Sequence, residues 1–176
     1  TDVIVERIER DLGIPGLAES SQLVAPTDLQ SLLLAVARRR AATTTPADVL
    51  LRYATDRFVQ PATVDPAHLD RLARRALEEL PAAYERIQLS PMCPLGTSSS
   101  LGGVSQDWVV TTVRGGEVVS DPTSVLALEC ALRRRGDRTR PVRLCATHRV
   151  LRAQPFESPF AQHFGLLALC TAGEQE

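Results

Sequence analysis

The sequence predicts an α+β fold, in which a helical N-terminal region of residues 1–80 precedes an antiparallel sheet in residues 81–176. Apolar residues recur at helical spacing up to about residue 80, and strand-like alternation with turn signals follows. One further helix interrupts the strands. Helices first and antiparallel strands second favour the α+β class over an alternating α/β sheet.

The composition is that of an ordinary globular protein that has no lysine. Of the 176 residues 44% are hydrophobic, and 20 basic against 21 acidic residues give a net charge of −1. This size suits one domain, or one domain with an appendage, and the charge gives no general attraction to nucleic acid. Because all 20 basic residues are arginine, a Schiff-base lysine and a P-loop lysine are excluded within these residues.

The four cysteines, Cys93, Cys130, Cys145 and Cys170, are widely spaced and form no CxxC pair. This spacing is unlike that of a zinc site or a disulfide framework, and it predicts reduced core thiols in a cytoplasmic protein. No segment approaches the ~20 consecutive apolar residues of a membrane helix. Neither a signal peptide nor a membrane span is therefore predicted.

About four helices are predicted in the first 80 residues. The first has an apolar stripe at helical spacing, formed by Val3, Ile4, Ile8 and Leu12. Thr27 and Gln30 have the spacing of a capping box at the start of a second helix. Thr45-Pro46 and Asp65-Pro66 each place a cap residue before a proline, which is typical of a helix start.

Strands are predicted after residue 81, with one long loop and one helix among them. The loop, residues 90–103, is rich in turn formers. The helix begins at Asp121 and runs to about residue 135. The predicted strands are 84–89, 108–113 with a hairpin partner at 117–119, 141–152 and 163–171.

Two segments carry residues suited to ligand chemistry. In the first, a hairpin leads into a helix whose start carries Asp121 and Thr123. A carboxylate pairs with an ammonium group and a hydroxyl adds an acceptor, although Asp-Pro at a helix start is also a common cap. In the second, Arg152 and Gln154 end one strand, and His163 and Phe164 begin the next. An arginine at a strand end can grip a phosphate, because its planar guanidinium matches phosphate oxygens.

Together the two segments resemble class II aminoacyl-tRNA synthetases of the histidyl, prolyl and threonyl type, over about residues 82–172. The resemblance implies that Arg152 binds the α-phosphate of ATP and that Phe164 stacks on adenine. It places His163 near the nucleotide and puts the amide of Gln154 where synthetases have a glutamate. Asp121 and Thr123 would hold the α-amino group of an amino acid.

Three further sites are predicted from position alone. Glu117 and Asp121 are candidates to bind substrate or Mg²⁺ carried in with ATP, and Arg114 is a second candidate for phosphate. The arginine runs 38–40 and 133–135 each lie at a predicted helix end. There a solvated end favoured by the helix dipole competes with an RNA-binding patch.

The resemblance implies an adenylate-forming ligase that uses ATP and Mg²⁺. Its substrate would be an amino acid or another small carboxylate, and its acceptor would be tRNA or a carrier protein. The resemblance also implies a homodimer.

A second function stays open. The last strand carries Leu166, Leu167 and Leu169, where synthetases usually have a Gln or Glu, and no Gly-rich helix start of the third class II signature is found in these residues. A non-catalytic paralogue, acting as a regulatory or RNA/protein-binding module, fits these features. A third hypothesis is a thiol enzyme that uses Cys93.

Overall fold

The computed structural model describes residues 2–157 and 160–173. The chain forms two compact units, residues 1–45 with 113–115, and residues 46–112 with 116–176. The division predicted at residue 80 lies inside the second unit. No helix among the described residues is both long and apolar enough to cross a membrane.

The first unit contains three helices, α1 (Asp2–Leu12), α2 (Leu17–Ser21) and α3 (Pro26–Ala42). The capping box predicted from Thr27 and Gln30 is wrong, since α3 begins one residue before Thr27 and its N-cap is Ala25, without a side-chain bond. Pro26 takes the first helical position, where the missing N–H costs nothing. Neither α2 nor α3 has a buried residue.

The second unit begins with two more helices, α4 (Pro46–Thr55) and α5 (Pro66–Glu78). Both begin at the prolines from which they were predicted. The cap at Asp65 is confirmed, because its side chain accepts a hydrogen bond of 3.0 Å from the Ala67 amide. With α1–α3, the described part of the chain has five helices before the first strand, where about four were predicted.

The main sheet has the strand order β1–β4–β5, formed by β1 (Glu85–Arg86), β4 (Val142–Leu151) and β5 (His163–Ala172). The two long strands confirm their predicted positions. They pair antiparallel over their whole length, from Val142 opposite Ala172 to Leu151 opposite His163. The short strand β1 pairs parallel with β4. The mixture of helices with an antiparallel strand pair confirms the predicted α+β class.

A second, two-stranded sheet corrects two predictions. The predicted loop 90–103 contains β2 (Met92–Pro94) and the short helix α6 (Thr97–Gly102), and β2 pairs with β3 (Gly116–Val118). The predicted strand 108–113 starts instead as a 3₁₀ turn at Gln106–Trp108, while its predicted hairpin is borne out in part by an antiparallel bridge between Thr111 and Glu117. Gly116 allows the close pairing, because a Cβ there would lie 2.9 Å from the Met92 side chain. The strand that pairs with β3 thus lies in a segment whose many turn formers predicted a loop.

Helix α7 (Pro122–Arg133) closes the core against the long strands. It begins, as predicted, directly after Asp121. One apolar cluster joins the helix to both strands and contains Leu89, Leu126, Cys130, Leu144, Ala146 and Ala168. A smaller cluster near the end of β4 contains Cys93, Val119 and Val150. The two long strands are therefore packed against α7, and the last residues of β4 lie at one end of these strands.

Candidate functional site

Arg152 is the first residue after β4, and three groups hold its side chain. Its Nε donates a hydrogen bond of 2.9 Å to the carbonyl oxygen of Ser120, and its Nη2 lies 3.8 Å from Oδ2 of Asp121. Its guanidinium carbon lies 5.3 Å from the centre of the Phe164 ring, a distance typical of a cation–π contact. The structure thus brings together residues predicted from two separate segments.

Asp121 serves both the helix and the arginine. Its Oδ1 accepts hydrogen bonds from the amide and the hydroxyl of Thr123, at 2.9 Å and 2.7 Å, and so caps α7. Its Oδ2 faces Arg152. The capping role of Asp121 and its position beside Arg152 are therefore compatible, because each uses a different carboxylate oxygen.

Phe164 forms one wall of an open cavity of about 570 Å³. Its ring meets that of Phe156 edge to face, with centroids 6.1 Å apart. The cavity is mainly apolar, and its polar lining includes Arg149 and His163. A flat aromatic ring would fit such a cavity, because the aromatic side chains of its walls can contact the ring through their faces and edges.

His163 is held in one tautomer by two neighbours. Its Nε2 lies 2.7 Å from the carbonyl oxygen of Gln60, and its Nδ1 lies 3.0 Å from Nε of Arg149. A carbonyl only accepts and an arginine only donates, so Nε2 carries the proton and Nδ1 accepts.

Arg57 fastens the chain just beyond Arg152. Its two terminal nitrogens donate to the carbonyl oxygens of Ala153, at 2.6 Å, and Gln154, at 3.2 Å. Sequence analysis missed this residue, since no motif surrounds it. The segment between α4 and α5 therefore contacts residues 153 and 154 through Arg57, and the first residue of β5, His163, through Gln60.

Glu117 is fully buried and bonded on both oxygens. The amides of Gly96 and Ser98 donate to it at 2.9 Å and 2.7 Å, and the side-chain amide of Gln106 donates at 3.1 Å. Burial by itself raises the pKa of Glu117, but hydrogen bonds from Ser98, Gln106 and Gly96 outweigh burial and keep that pKa below its ordinary value. Both oxygens face protein donors, and the predicted contact with substrate stays a prediction.

Ser98 links this buried carboxylate to the arginine. Its hydroxyl shares a hydrogen bond of 2.8 Å with the hydroxyl of Ser120, and both serines are buried. The carbonyl of Ser120 in turn accepts from Arg152. Ser120 directly precedes Asp121 in the chain, and this position was the feature of the sequence that could have indicated its contact with Arg152.

Cys93 is a poor candidate for a nucleophile. Burial, the largest cause, raises the pKa of its thiol; a hydrogen bond with Thr97 opposes this rise, and the adjacent Glu117 adds to it. The attacking form of cysteine is the thiolate, which such surroundings disfavour. The arrangement is that of a structural core thiol.

Arg114 lies in the exposed turn 113–115, which belongs to the first compact unit, whereas Arg152 belongs to the second. Gln154 is half-buried and contributes its carbonyl oxygen to Arg57. Across residues 2–157 and 160–173, no group of three His, Cys, Asp or Glu side chains could hold a metal ion.

No protein-family model and no curated protein matches the chain. Solved structures that are similar to it include the pyrrolysyl-tRNA synthetase of Desulfitobacterium hafniense, at 13% identity with a TM-score of 0.45, covering 68% of this chain and 42% of that one. The histidyl-tRNA synthetase of Nostoc sp. PCC 7120 is similar at 19% identity with a TM-score of 0.46, covering 68% and 29%.

A third similar structure is described as an ATP phosphoribosyltransferase regulatory subunit/histidyl-tRNA synthetase from Bacillus halodurans, at 19% identity with a TM-score of 0.44, covering 64% of this chain and 30% of that one. The chain therefore spans less than half the length of each of these three proteins.

Proposed function

We propose that this chain binds ATP as part of a class II synthetase-like protein, with Arg152 on the α-phosphate and Phe164 against the base. The observation that supports the proposal is the meeting of Arg152, Asp121 and Phe164, which come from the ends of three different elements. A cation, a carboxylate and an aromatic ring within one contact network offer complementary groups for a nucleotide and an amino acid.

The reaction we propose is formation of an adenylate. A carboxylate oxygen of the substrate attacks the α-phosphorus of ATP, and the bond to the pyrophosphate leaving group breaks. The Ser120 carbonyl holds Nε of Arg152, so the Nη groups are the ones that meet phosphate oxygens and offset their developing charge. Catalysis of this kind is positioning together with electrostatic stabilisation.

Asp121 and Thr123 are proposed to bind the α-amino group of the substrate. The Oδ2 atom of Asp121 is the oxygen not used by the helix cap. Mg²⁺ would enter with ATP, because no resident carboxylate cluster exists among the described residues. The acceptor, tRNA or a carrier protein, and a homodimeric assembly rest on the resemblance and belong to the same proposal.

Calorimetric titration of Mg-ATP tests the proposal, with wild type compared to Arg152→Ala. Loss of a charge-assisted contact predicts at least about tenfold weaker binding in the variant. Arg86→Ala is the matched control, since Arg86 also donates to a backbone carbonyl, that of Leu77. If a folded wild-type chain does not bind Mg-ATP, the proposal is overturned. Equal affinity in Arg152→Ala and Arg86→Ala would overturn it as well.

A second candidate is a non-catalytic paralogue that retains the fold as a regulatory or RNA/protein-binding module. The observation that favours it is the apolar character of β5, whose Leu166 and Ala168 pack into the core clusters. Pyrophosphate exchange with a panel of amino acids separates the two. ATP binding without exchange for any amino acid would favour the module.

A further inference from the structure

We propose that residues 133–143, here called the arginine turn, form a second anion site that binds ligands with closely spaced phosphate groups. The turn joins the C-terminal end of α7 to the start of β4. Beside it lies a cavity of about 720 Å³, whose lining includes Arg133, Arg140 and Arg143 together with the acidic residues Glu85 and Asp137. The walls of this cavity are largely polar, unlike the apolar space beside Phe164.

Charge is concentrated in this turn. Six of the 20 arginines fall within its 11 residues, Arg133, Arg134, Arg135, Arg138, Arg140 and Arg143, and they are opposed within the turn by Asp137 alone. The whole chain has a net charge of −1. An excess of one sign of charge at a concave surface raises the local concentration of counter-ions.

Some of these arginines already have structural partners. Arg133 donates to Glu85 at 2.6 Å and to Glu129 at 2.7 Å, and Arg134 donates to the carbonyl of residue 138. Arg140 and Arg143 are exposed and line the cavity. These two side chains are therefore the proposed ligand contacts, while Arg133 holds α7 to β1.

The backbone of the turn is held in shape by Asp137. Its Oδ1 accepts from the amide of Thr139 at 3.0 Å and from the Thr139 hydroxyl at 2.7 Å, and these bonds lower its pKa. The Asp137 carboxylate is thereby hydrogen-bonded within the turn that contains it. A preset turn reduces the ordering cost of binding.

Phosphate is the chemistry that this cluster fits. Guanidinium groups bind phosphate oxygens bidentately, and neighbouring guanidiniums match neighbouring phosphates. Such groups occur in an RNA backbone and in free polyphosphate. The site is independent of the proposed ATP site, because the ten residues of β4 separate them by roughly 33 Å.

The test titrates inorganic tripolyphosphate by calorimetry and a labelled single-stranded RNA by fluorescence anisotropy into the full chain carrying Arg152→Ala. This background removes the first phosphate-binding arginine. We expect the further change Arg140→Gln/Arg143→Gln to weaken at least one probe more than tenfold. The matched control, Arg38→Gln/Arg39→Gln, removes the same charge from the other arginine run, and binding should stay within about twofold, because exposed charges that do not contact a ligand are screened by salt.

The two probes identify the source of the phosphates. Loss confined to RNA identifies a nucleic-acid backbone, and loss confined to tripolyphosphate identifies a free polyphosphate; either supports the site. Circular dichroism of both double variants checks the fold. No binding of either probe, unchanged binding in Arg140→Gln/Arg143→Gln, or equal weakening in the control would overturn the proposal.

Discussion

Arg152 is supported from two sides that differ in burial. On the inner side, Glu117 binds the amide of Ser98, Ser98 binds Ser120, and the Ser120 carbonyl orients the guanidinium. On the outer side, Arg57 bonds to the two residues after Arg152, and Gln60 contacts His163 at the start of β5. The inner support consists of fully buried groups, whereas Arg57 is exposed.

The difference separates permanent from adjustable structure. A buried hydrogen bond is costly to break, since no water replaces the lost partner, while an exposed bond exchanges with water. The inner support therefore sets where Arg152 points in every folded molecule. The outer support can release residues 152–157 without unfolding the core.

Loss of the inner carboxylate should have the largest effect. Glu117→Ala leaves the amides of Gly96 and Ser98 without their acceptor, and it should lower the free energy of unfolding by about 3 kcal/mol. Urea denaturation measures the change. In the control Glu129→Ala, which removes an exposed ion pair with Arg133, the loss should stay below about 1 kcal/mol. Similar losses in both variants would contradict the distinction between the two supports.

The inner support should also depend on pH. Because the pKa of Glu117 is lowered in the folded state, its stabilisation is fully present above the unfolded-state pKa of about 4.3. It is lost as pH falls through the folded-state pKa. The difference in free energy of unfolding between wild type and Glu117→Gln should be constant above about pH 5.5 and shrink below about pH 4. A difference that does not change with pH would contradict this assignment.

Breaking the serine link should have an intermediate effect. Ser98→Ala removes the 2.8 Å bond and leaves the buried hydroxyl of Ser120 unpaired, which should cost about 1–2 kcal/mol. If Ser120 orients Arg152, the affinity for Mg-ATP should also fall, by about threefold to tenfold on the scale of one hydrogen bond. Ser100→Ala changes an exposed serine of the same short helix and should alter neither quantity. Stability lost without any loss of affinity would confine Ser98 to a structural role.

Loss of the outer support should change the free energy of unfolding least and the local opening of the residues after Arg152 most. Arg57→Ala removes two exposed bonds to residues 153 and 154, so the free energy of unfolding should change by less than about 1 kcal/mol. Amide hydrogen exchange in residues 152–157 should nevertheless become faster, because local opening no longer breaks those bonds. Arg52→Ala, on the preceding helix α4, is the control. Unchanged exchange in Arg57→Ala would show that the loop is held by other contacts.

Local signals in the sequence determined much of the fold. Asp121 before a proline predicted the start of α7, and Asp65 before a proline predicted that of α5, because a cap depends on residues adjacent in the chain. Strands β4 and β5 were predicted from long apolar runs. The residues around Arg152 were proposed from the order of motifs, and the structure brings Arg152, Asp121 and Phe164 together.

Only the tertiary structure decided which distant residues support them. Strand β2 forms within a segment of turn formers because β3, about 20 residues later, supplies its ladder partner. The sequence predicted Glu117 as a contact for substrate or Mg²⁺, and only the folded chain shows it buried and bonded to the amides of Gly96 and Ser98 at the start of α6. Arg57 has no motif at all. Pairing, burial and hydrogen bonding between remote segments depend on three-dimensional proximity, which the local pattern of residues does not encode.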